Sequence, residues 1–299
     1  MSEALRTRGI EPGVLWPRAL ERAARALRCG ALRPIPTEQE RVAQGGVRFV
    51  VRMAPSLRGK AAAAGQGRAD PFSPYDPDLF VADLSSTHVC LLNKYNVIEN
   101  HLLVVTRAFE EQLAPLARAD FEALWLCLRD VDGLGFYNAG EAAGASQRHK
   151  HLQLVALPLS AGGPGIPIEP LLESAGEGEP TGAAARLPFR NCFARRDFLA
   201  AGSAPQAAAQ AHEIYGAMAA ALDLAAGGRP YNLLVTRRWM LLVPRSVESF
   251  QSISVNALGF AGALLVRDAT ELDAVKRHGP MTVLGRVALP QREAGGRER

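Results

Sequence analysis

The stretch between residues 137 and 158 limits the possible folds and functions of this chain more than any other. His149, His151 and Gln153 recur there at every second position, and in a β-strand alternate side chains lie on the same face. A solvent-facing strand rarely carries two imidazoles and an amide together, and a buried strand must give each of them a hydrogen-bond partner. The preceding residues 138–147 are rich in glycine, alanine and serine, so their backbone N–H groups are accessible to an anionic oxygen. We interpret the stretch as the floor of a binding site.

Length, charge and cysteine pattern indicate a soluble protein of enzyme size. The 299 residues can form one large domain or two small ones. A formal net charge of only +4, with scattered basic residues, gives no continuous stripe for nucleic acid and suits an anionic small molecule. The four cysteines lie far apart without Cys-x-x-Cys spacing, which favours a reducing cytosol over a disulfide framework or a zinc knuckle. No apolar signal core and no apolar run of about 18 residues is present, so we expect a cytoplasmic protein without nucleic-acid or membrane partners.

Hydrophobic periodicity predicts an α+β fold with an antiparallel sheet. Two apolar strands, at residues 89–97 and 101–107, form a predicted hairpin, and a helix over residues 109–130 can pack across it. A further strand, the glycine-rich loop and the His-x-His-x-Gln strand follow. This order of strand, strand, helix, strand, loop and strand describes an antiparallel sheet with a helix on one face.

The second half of the chain weakly repeats the first. After an alanine-rich helix over residues 204–226, residues 231–245 form a second predicted hairpin. Residues 101–107 are echoed by residues 240–245, and the Asn-Ala-Gly pattern of the glycine-rich loop by residues 256–263, but the second copy lacks His-x-His. A duplicated fold with one active half would explain the repeat, and so would the chance similarity of apolar strands.

Composition divides the chain into four predicted regions. A region of helix, connector and strand covers residues 1–60, and its residues 34–44 are predicted as a turn-rich connector. A catalytic core covers residues 61–160, a Gly- and Pro-rich linker residues 161–187, and a C-terminal half residues 188–299.

The paired histidines allow more than one use. Alternating histidines on a strand form a common zinc-binding pair, although no cysteine or carboxylate nearby in the sequence supplies a third ligand. The glycine-rich loop and Gln153 favour catalysis over metal binding or core packing. Lys60, in an Ala- and Gly-rich segment, is either a cation on a mobile lid or a solvated linker lysine. Four other histidines have no such pattern around them and are expected to be structural or solvent-facing: His88, His101, His212 and His278.

Several motifs, in the same order along the chain, resemble a known enzyme family. The pattern Asn138-x-Gly…Gly144-Ala-Ser-Gln-x-His-Lys-His-Leu-Gln153 resembles the active-site signature of the histidine-triad superfamily. Its last residue is Gln, as in the branch to which galactose-1-phosphate uridylyltransferases belong. Within that branch the chain resembles the ATP adenylyltransferases, also called diadenosine tetraphosphate phosphorylases. The further motifs are residues 71–77, 92–97, 231–245 and 254–262, and the resemblance spans roughly residues 31–290.

The resemblance implies a fold and a reaction. The fold would be a histidine-triad-like antiparallel sheet with helices packed on it, pseudo-duplicated so that the C-terminal half completes the nucleotide site. The reaction would be the reversible phosphorolysis of diadenosine tetraphosphate by phosphate to ATP and ADP, through a covalent AMP-histidine. Nε2 of His151 would attack the α-phosphorus while a backbone carbonyl holds Nδ1–H. Gln153 would donate to a non-bridging oxygen, and His149 would belong to the same catalytic group.

The resemblance also implies substrate contacts. Loop residues would offer N–H and hydroxyl groups to the charge of the transition state, asparagines would hold ribose or phosphate, and cations would neutralise the polyphosphate. The implied substrate-binding residues are Lys60, Asn93, Lys94, Asn138, Gly144, Ala145, Ser146, Gln147, Asn256 and Arg267. No prosthetic group is implied, and Mg²⁺ commonly accompanies nucleotides, but no carboxylate cluster is dedicated to it. One departure is Arg148, where the family usually has proline.

Two other classes are compatible with the same residues. A hexose-1-phosphate nucleotidyltransferase or a dinucleoside polyphosphate hydrolase would use the same histidine with another acceptor. A nucleotide-binding sensor that has lost turnover would keep the fold, although the intact His-Lys-His-Leu-Gln sequence argues against it.

Overall fold

An eight-stranded sheet organises the structure. The computed structural model describes residues 10–55, 70–163, 165–172 and 181–291. The strands are β1 (Glu38–Gln44), β2 (Val47–Met53), β3 (Phe80–Asp83), β4 (His88–Leu92), β5 (Leu102–Thr106), β6 (Gly133–Ala139), β7 (His151–Ala156), β8 (Cys192–Arg195), β9 (Tyr231–Val235), β10 (Trp239–Pro244), β11 (Ser249–Phe250), β12 (Ile253–Ser254) and β13 (Ala263–Val266). The helices are α1 (Leu15–Cys29), α2 (Arg118–Asp130), α3 (Glu169–Leu172), α4 (Ala204–Ala221), α5 (Ala257–Phe260), α6 (Ala269–His278) and α7 (Pro280–Val287). None of the helices in the described ranges is long and apolar enough to cross a membrane.

Every pairing in the large sheet is antiparallel. Its strand order is β3-β4-β5-β7-β6-β9-β10-β8. A smaller sheet has the order β1-β2-β13, in which β13 runs parallel to β2. β11 and β12 form a short separate hairpin. The predicted α+β fold built on an antiparallel sheet is confirmed.

The topology repeats within the large sheet. In the first half the order along the chain is β5, α2, β6 and β7, with β7 beside β5. In the second half the order is β8, α4, β9 and β10, with β10 beside β8. β6 and β9 pair across the middle, and α2 packs against α4. This repetition is what a duplicated fold requires.

The two faces of the large sheet are covered differently. One face packs against α1, α2 and α4, where Phe121, Leu124 and Trp125 of α2 are buried. Gly135 of β6 permits this contact, because a Cβ at that position would lie 3.0 Å from Leu124. On the opposite face the small sheet and α5 to α7 cover β6, β9 and β10. Side chains of β4 and β5 form a separate apolar cluster on that face, and β7 lies between these strands and β6.

The helix predicted over residues 109–130 begins later than expected. α2 begins at Arg118, because Pro115 has no N–H to donate and disfavours the helical conformation of the residue before it. Asp120 then caps the helix, since its Oδ2 accepts a hydrogen bond from the N–H of Ala117 at 2.6 Å. The residues before α2 run alongside the start of β7 instead.

The connector predicted over residues 34–44 is also partly wrong. Residues Glu38–Gln44 form β1, which pairs with β2 through a tight turn at Gly45 and Gly46. Both glycines have positive φ, 59° and 84°, as a two-residue hairpin turn requires. β1 is mostly exposed and polar, so it lacks the apolar alternation from which a strand is predicted.

The two predicted hairpins are confirmed in position. β4 pairs with β5 and β9 pairs with β10. β4 ends at Leu92 rather than at residue 97, and the helix predicted over residues 204–226 ends at Ala221. The four regions predicted from composition stay a prediction, although the large sheet joins strands from the second and the fourth of them.

A buried ionic cluster lies on the helix-covered face of the sheet. The side chain of Lys150 is 1% exposed, and its Nζ lies 2.9 Å from Oδ2 of Asp120 and 2.9 Å from Oε2 of Glu110. Nε2 of His88 lies 3.0 Å from Oδ1 of Asp120. Burial would raise the pKa of Asp120, but the hydrogen bond with His88 and the charge of Lys150 hold that pKa below its ordinary value. The ionised carboxylate therefore bonds both side chains at once.

We expect the Asp120→Ala substitution to lower the free energy of unfolding by about 3–5 kcal/mol, because it removes the buried partner of Lys150 and leaves an ammonium poorly compensated. Urea denaturation followed by circular dichroism measures this loss. Glu122→Ala is the control on the same helix. Glu122 pairs with Arg118 at the surface, and such a pair contributes about 0.5 kcal/mol or less. Equal losses for the two variants would contradict the role of the buried cluster.

Candidate active site

His151 lies at the start of β7, and of its two ring nitrogens only Nδ1 has a hydrogen-bond partner among the described residues. The residue is 5% exposed, and its Nδ1 lies 2.8 Å from the carbonyl oxygen of His149. Because a carbonyl can only accept, Nδ1 carries the proton and donates it, so Nε2 holds the lone pair. Burial lowers the pKa of His151 to about 4. The ring is therefore neutral at pH 7, and Nε2 can act as a nucleophile.

His149 has both ring nitrogens bound to protein groups. Its Nδ1 lies 2.6 Å from Oδ2 of Asp70, and its Nε2 lies 2.7 Å from the carbonyl oxygen of Thr106. With both nitrogens occupied, His149 has no free lone pair for nucleophilic attack, and it holds the carbonyl to which His151 donates. Asp70 is not predictable from the sequence, because it lies 79 residues before His149 and no motif links the two.

Gln153 follows His151 by two residues and lies next to another buried histidine, His101. Burial lowers the pKa of His101 to about 4, and the side chain of Gln153 and the charge of His151 make smaller contributions. Nδ1 of His101 lies 3.2 Å from Nδ2 of Asn93, whose Oδ1 accepts from the N–H of Tyr95. Nε2 of His101 is buried and has no hydrogen-bond partner within the described residues. The structure therefore brings together Gln153, Asn93 and a histidine for which the sequence suggested no role.

The glycine-rich loop uses two of its predicted donors within itself. The N–H groups of Gly144 and Ala145 donate to the carbonyls of residues 140–141, at 2.8 and 3.2 Å. Ser146 is exposed and Gln147 is half-buried, and the N–H groups of these two make no backbone hydrogen bond within the described residues. The donors that this conformation leaves for a ligand are therefore those of Ser146 and Gln147. Contact of all four residues with a substrate stays a prediction.

Gly144 brings the loop against the C-terminal half. Its φ is 87°, and a Cβ at this position would lie 2.8 Å from the carbonyl oxygen of Val255 and 2.9 Å from Cα of Asn256. Only glycine fits both the conformation and the close approach. Asn256 caps α5, because its Oδ1 accepts from the N–H of Leu258 at 3.0 Å. Asn256 therefore lies beside the loop, and its contact with a nucleotide stays a prediction.

Asn138 connects the strand before the loop to the C-terminal half. It is 2% exposed, and its Oδ1 accepts from Nδ2 of Asn232 at 2.8 Å and from the N–H of Ala257 at 2.9 Å. Nδ2 of Asn232 also donates to the carbonyl of Ala143 in the loop, at 2.9 Å. The side-chain oxygen of Asn138 is therefore occupied by protein groups. Its predicted contact with ribose or phosphate stays a prediction and would have to use Nδ2.

Arg245 donates hydrogen bonds to the group of residues that joins Asn138 to the C-terminal half. The side chain is buried, and its Nη1 donates to Oδ1 of Asn232 at 2.6 Å and to the carbonyl of Val255 at 2.8 Å. Its Nε donates to the carbonyl of Val287 at 3.1 Å. Burial lowers the pKa of Arg245 to about 10, so the guanidinium stays charged at pH 7. It acts as a structural cation that joins β10, the glycine loop and the end of α7.

Two of the other predicted cations, Lys94 and Arg267, pair with carboxylates. Nζ of Lys94 lies 3.5 Å from Oδ2 of Asp76. Nε of Arg267 donates to Oε1 of Glu271 at 2.7 Å, and none of the hydrogen bonds of Arg267 within the described residues reaches the histidines or the loop. Lys60 lies outside the described residues. Substrate contact by these three residues stays a prediction.

An apolar cluster borders the ring of His151 on the side of β4 and β5. Its members are Val89, Leu91, Leu103 and Val105, with Phe72, Tyr75 and Phe80 partly buried against them. The ring of Phe72 lies 5.3 Å from that of His151 and 5.7 Å from that of His149, between centroids. Val105 is opposite His151 in the sheet register. The histidines therefore form one edge of a surface that can receive a flat apolar ring.

The arrangement does not fit the zinc pair that the sequence alone allows. Three of the four ring nitrogens of His149 and His151 are bound to protein groups. In the described ranges no three His, Cys, Asp or Glu side chains are grouped so as to bind a metal ion. The geometry is instead that of one free nucleophile.

Arg148, the departure from the family pattern, is a surface residue. Its side chain is 81% exposed and pairs with Glu111. Its guanidinium carbon lies 6.0 Å from the ring centroid of Phe109. The additional cation therefore sits at the rim of the site and is neutralised by a carboxylate.

Comparisons with known proteins agree with these features. The family model of the Ap4A phosphorylase N-terminal domain matches residues 5–174, and that of the ATP adenylyltransferase C-terminal domain matches residues 185–290. Diadenosine 5',5'''-P1,P4-tetraphosphate phosphorylase 2 of Saccharomyces cerevisiae is 28% identical over 269 residues, which cover 77% of this chain and 79% of the yeast protein.

Solved structures show the same fold. The crystal structure of yeast Ap4A phosphorylase Apa2 in complex with Ap4A has a TM-score of 0.79 at 23% identity and covers 95% of this chain and 99% of the yeast chain. The complex of Apa2 with AMP has a TM-score of 0.79 at 24% identity, with 96% and 100% coverage. Together the two domain models match the chain from residue 5 to residue 290 with one short gap. The chain therefore belongs to the family of Ap4A phosphorylases, the ATP adenylyltransferases.

Proposed function

We propose that the protein is a nucleotidyltransferase that cleaves diadenosine tetraphosphate (Ap4A) with phosphate to ATP and ADP, reversibly, through an AMP group bound covalently to His151. The observation that carries the proposal is the 2.8 Å hydrogen bond between Nδ1 of His151 and the carbonyl of His149. It leaves Nε2 of a neutral ring as the nucleophile. Membership of the family and similarity to the yeast phosphorylase support Ap4A as the substrate.

In the first step Nε2 of His151 forms a bond to an α-phosphorus of Ap4A. The bond from that phosphorus to the bridging oxygen breaks, and ATP leaves with the electron pair. The ring gains a positive charge, which the carbonyl of His149 stabilises through Nδ1–H. Because Asp70 and Thr106 fix the ring of His149, this carbonyl is already in place before the reaction.

In the second step an oxygen of inorganic phosphate attacks the same phosphorus. The P–N bond breaks, ADP leaves, and the lone pair returns to Nε2 of His151. In the reverse direction ATP attacks the adenylylated histidine and restores Ap4A. One nitrogen therefore serves both half-reactions, and no proton has to leave Nδ1.

Hydrogen-bond donors before and after His151 in the sequence are proposed to stabilise the negative charge on the transferred phosphate. Phosphoryl transfer depends mostly on positioning and on stabilising charge on the non-bridging oxygens. The amide of Gln153 and the N–H groups of Ser146 and Gln147 are the donors proposed for these oxygens. Mg²⁺ would bind the polyphosphate itself rather than a dedicated protein site, and no prosthetic group is required.

We propose that the apolar cluster next to His151 binds the adenine ring. Tyr75 and Phe80 lie almost parallel, with 12° between their ring planes and 5.8 Å between their centroids, and Phe72 contacts both histidines. A flat base packs favourably on such side chains. The α-phosphate would then lie over the histidine strand.

We further propose that the protein acts in the cytoplasm on small molecules. The four cysteines are free thiols in the structure, which fits a reducing compartment. The modest positive net charge of +4 suits anionic nucleotides and phosphate.

We expect His151→Ala to abolish adenylyl transfer while the variant still binds AMP, because the substitution removes Nε2 of His151, the proposed nucleophile. Intact-protein mass spectrometry checks this: mixed with Ap4A without phosphate, the wild-type chain should gain one adenylyl group and release ATP. Adding phosphate should remove the group as ADP. His278→Ala, on α6, is the control and should behave as wild type. A wild-type chain that produces AMP and ATP without consuming phosphate would be a hydrolase instead.

The first half-reaction should be nearly independent of pH between about 5.5 and 8. With its pKa lowered to about 4, His151 is neutral throughout this range and loses reactivity only as the pH falls towards 4. A histidine with the ordinary pKa of about 6.5 would be only about one-tenth neutral at pH 5.5. Single-turnover rates of ATP release from Ap4A measure the difference, and a tenfold fall between pH 7.5 and 5.5 would refute the buried neutral ring.

Gln153→Ala should slow adenylyl transfer by about 10²-fold or more, by analogy with the loss of one oxyanion donor. Gln153→Glu should be at least as slow, because its carboxylate lacks N–H donors and repels phosphate. The single-turnover rate is compared with the affinity for AMP, which should change less. An unchanged rate in Gln153→Ala would show that the amide does not touch the transferred group.

A further inference from the structure

Strand β7 is paired with β5 at His151, but it is no longer paired with β6 there. The pairing of β6 with β7 ends at Phe136 and Gln153, whereas β6 stays on β9 as far as Ala139. The next two pairs in this register, Tyr137 with Leu152 and Asn138 with His151, are therefore missing from the ladder. A gap opens between the two strands at the residue that carries the nucleophile.

The side chain of Gln112 fills this gap. Its Oε1 accepts from the N–H of His151 at 2.8 Å, and its Nε2 donates to the carbonyl of His151 at 3.1 Å and to the carbonyl of Asn138 at 2.9 Å. Gln112 is 2% exposed, so water does not compete for these groups. One amide thus replaces the peptide group that a continuous β6 would have supplied.

Gln112 is itself held in register with the histidine strand. Its N–H donates to the carbonyl of Arg148 at 2.7 Å, and the N–H of Lys150 donates to the carbonyl of Glu110 at 2.8 Å. The hydroxyl of Tyr137 donates to the carbonyl of Gln112. These contacts set the position of the side chain relative to residues 148–150.

We propose that Gln112 is a positioning residue for adenylyl transfer, which fixes the backbone of His151 so that Nε2 meets the α-phosphorus. The inference rests on the proposed function. Only a side chain with this length, an acceptor and two N–H donors can bond the N–H of His151 and both carbonyls at once. β5 lies on the other edge of β7 and does not reach these groups. A displacement of about 1 Å at the nucleophile can slow a reaction by about 10²-fold.

Gln112→Met tests this with a side chain of similar length and no polar amide. We expect single-turnover adenylylation by Ap4A to slow by about 10- to 100-fold, while the dissociation constant of AMP changes by less than about threefold. Gln44→Met is the matched control. Gln44 also bonds a backbone group, the N–H of Met281 at 2.8 Å, but it lies away from the histidines, so this variant should lose thermal stability without loss of rate.

The Gln112→Glu variant should show a pH-dependent rate, which a merely structural role would not produce. Its carboxylate keeps the acceptor for the N–H of His151 but faces two carbonyl oxygens without a donor. Burial raises the pKa of such a carboxyl, and its protonated form regains one O–H donor. We therefore expect the rate of this variant to rise several-fold as the pH falls from 8 to 5.5, where the wild-type rate is flat.

The outcomes separate the two proposals. If the wild-type chain never gains an adenylyl group, the proposed function fails, whatever the variants do. If the wild type reacts and the Gln112 variants lose rate but keep AMP affinity, with recovery of Gln112→Glu at low pH, the positioning role is supported. Variants that keep the wild-type rate, or that lose AMP binding or folding together with the rate, would overturn it.

Discussion

The proposed chemistry depends on the hydrogen bond from Nδ1 of His151 to the carbonyl of His149. An imidazole inside a sheet is surrounded by polar groups that seek partners, and any of them could occupy Nε2. The site avoids this by giving its neighbours other partners. Thr106 and Asp70 bond the ring of His149, and Gln112 bonds the backbone of His151. These bonds leave the lone pair on Nε2 of His151 free.

The same strand is fixed from its opposite face. Lys150 lies between the two histidines, and the alternation of a strand directs its side chain into the ionic cluster with Asp120 and Glu110. Burial would lower the pKa of Lys150, but the charges and hydrogen bonds of these carboxylates raise it above its ordinary value. Its ammonium therefore stays charged and attached to the start of α2. Lateral movement of the histidines would have to break this buried contact, so the cluster contributes rigidity to the site.

The periodicity of the sequence was sufficient to predict the hairpins and the histidine strand, but it did not predict the residues that hold the histidines in place. Apolar alternation located both hairpins, and period-two spacing placed His149, His151 and Gln153 on one strand face. The contacts that hold them come from distant parts of the chain: Asp70 is 79 residues from His149, and Gln112 is 39 residues from His151. Gln112 was assigned to a helix because its neighbours are apolar at helical spacing. Its competing role as a bridge across the β6–β7 gap has no local signature.

The C-terminal half explains why a duplicated fold can keep one reactive strand. Asn232 on β9 donates to Asn138 and to the carbonyl of Ala143, and Arg245, which follows β10, donates to the same carbonyl. β9 extends the sheet beyond β6. β6 stays paired with β9 as far as Ala139, while its pairing with β7 ends before it reaches His151. The half that lacks the His-x-His pattern therefore holds β6 away from His151, and this structural task requires no His-x-His sequence.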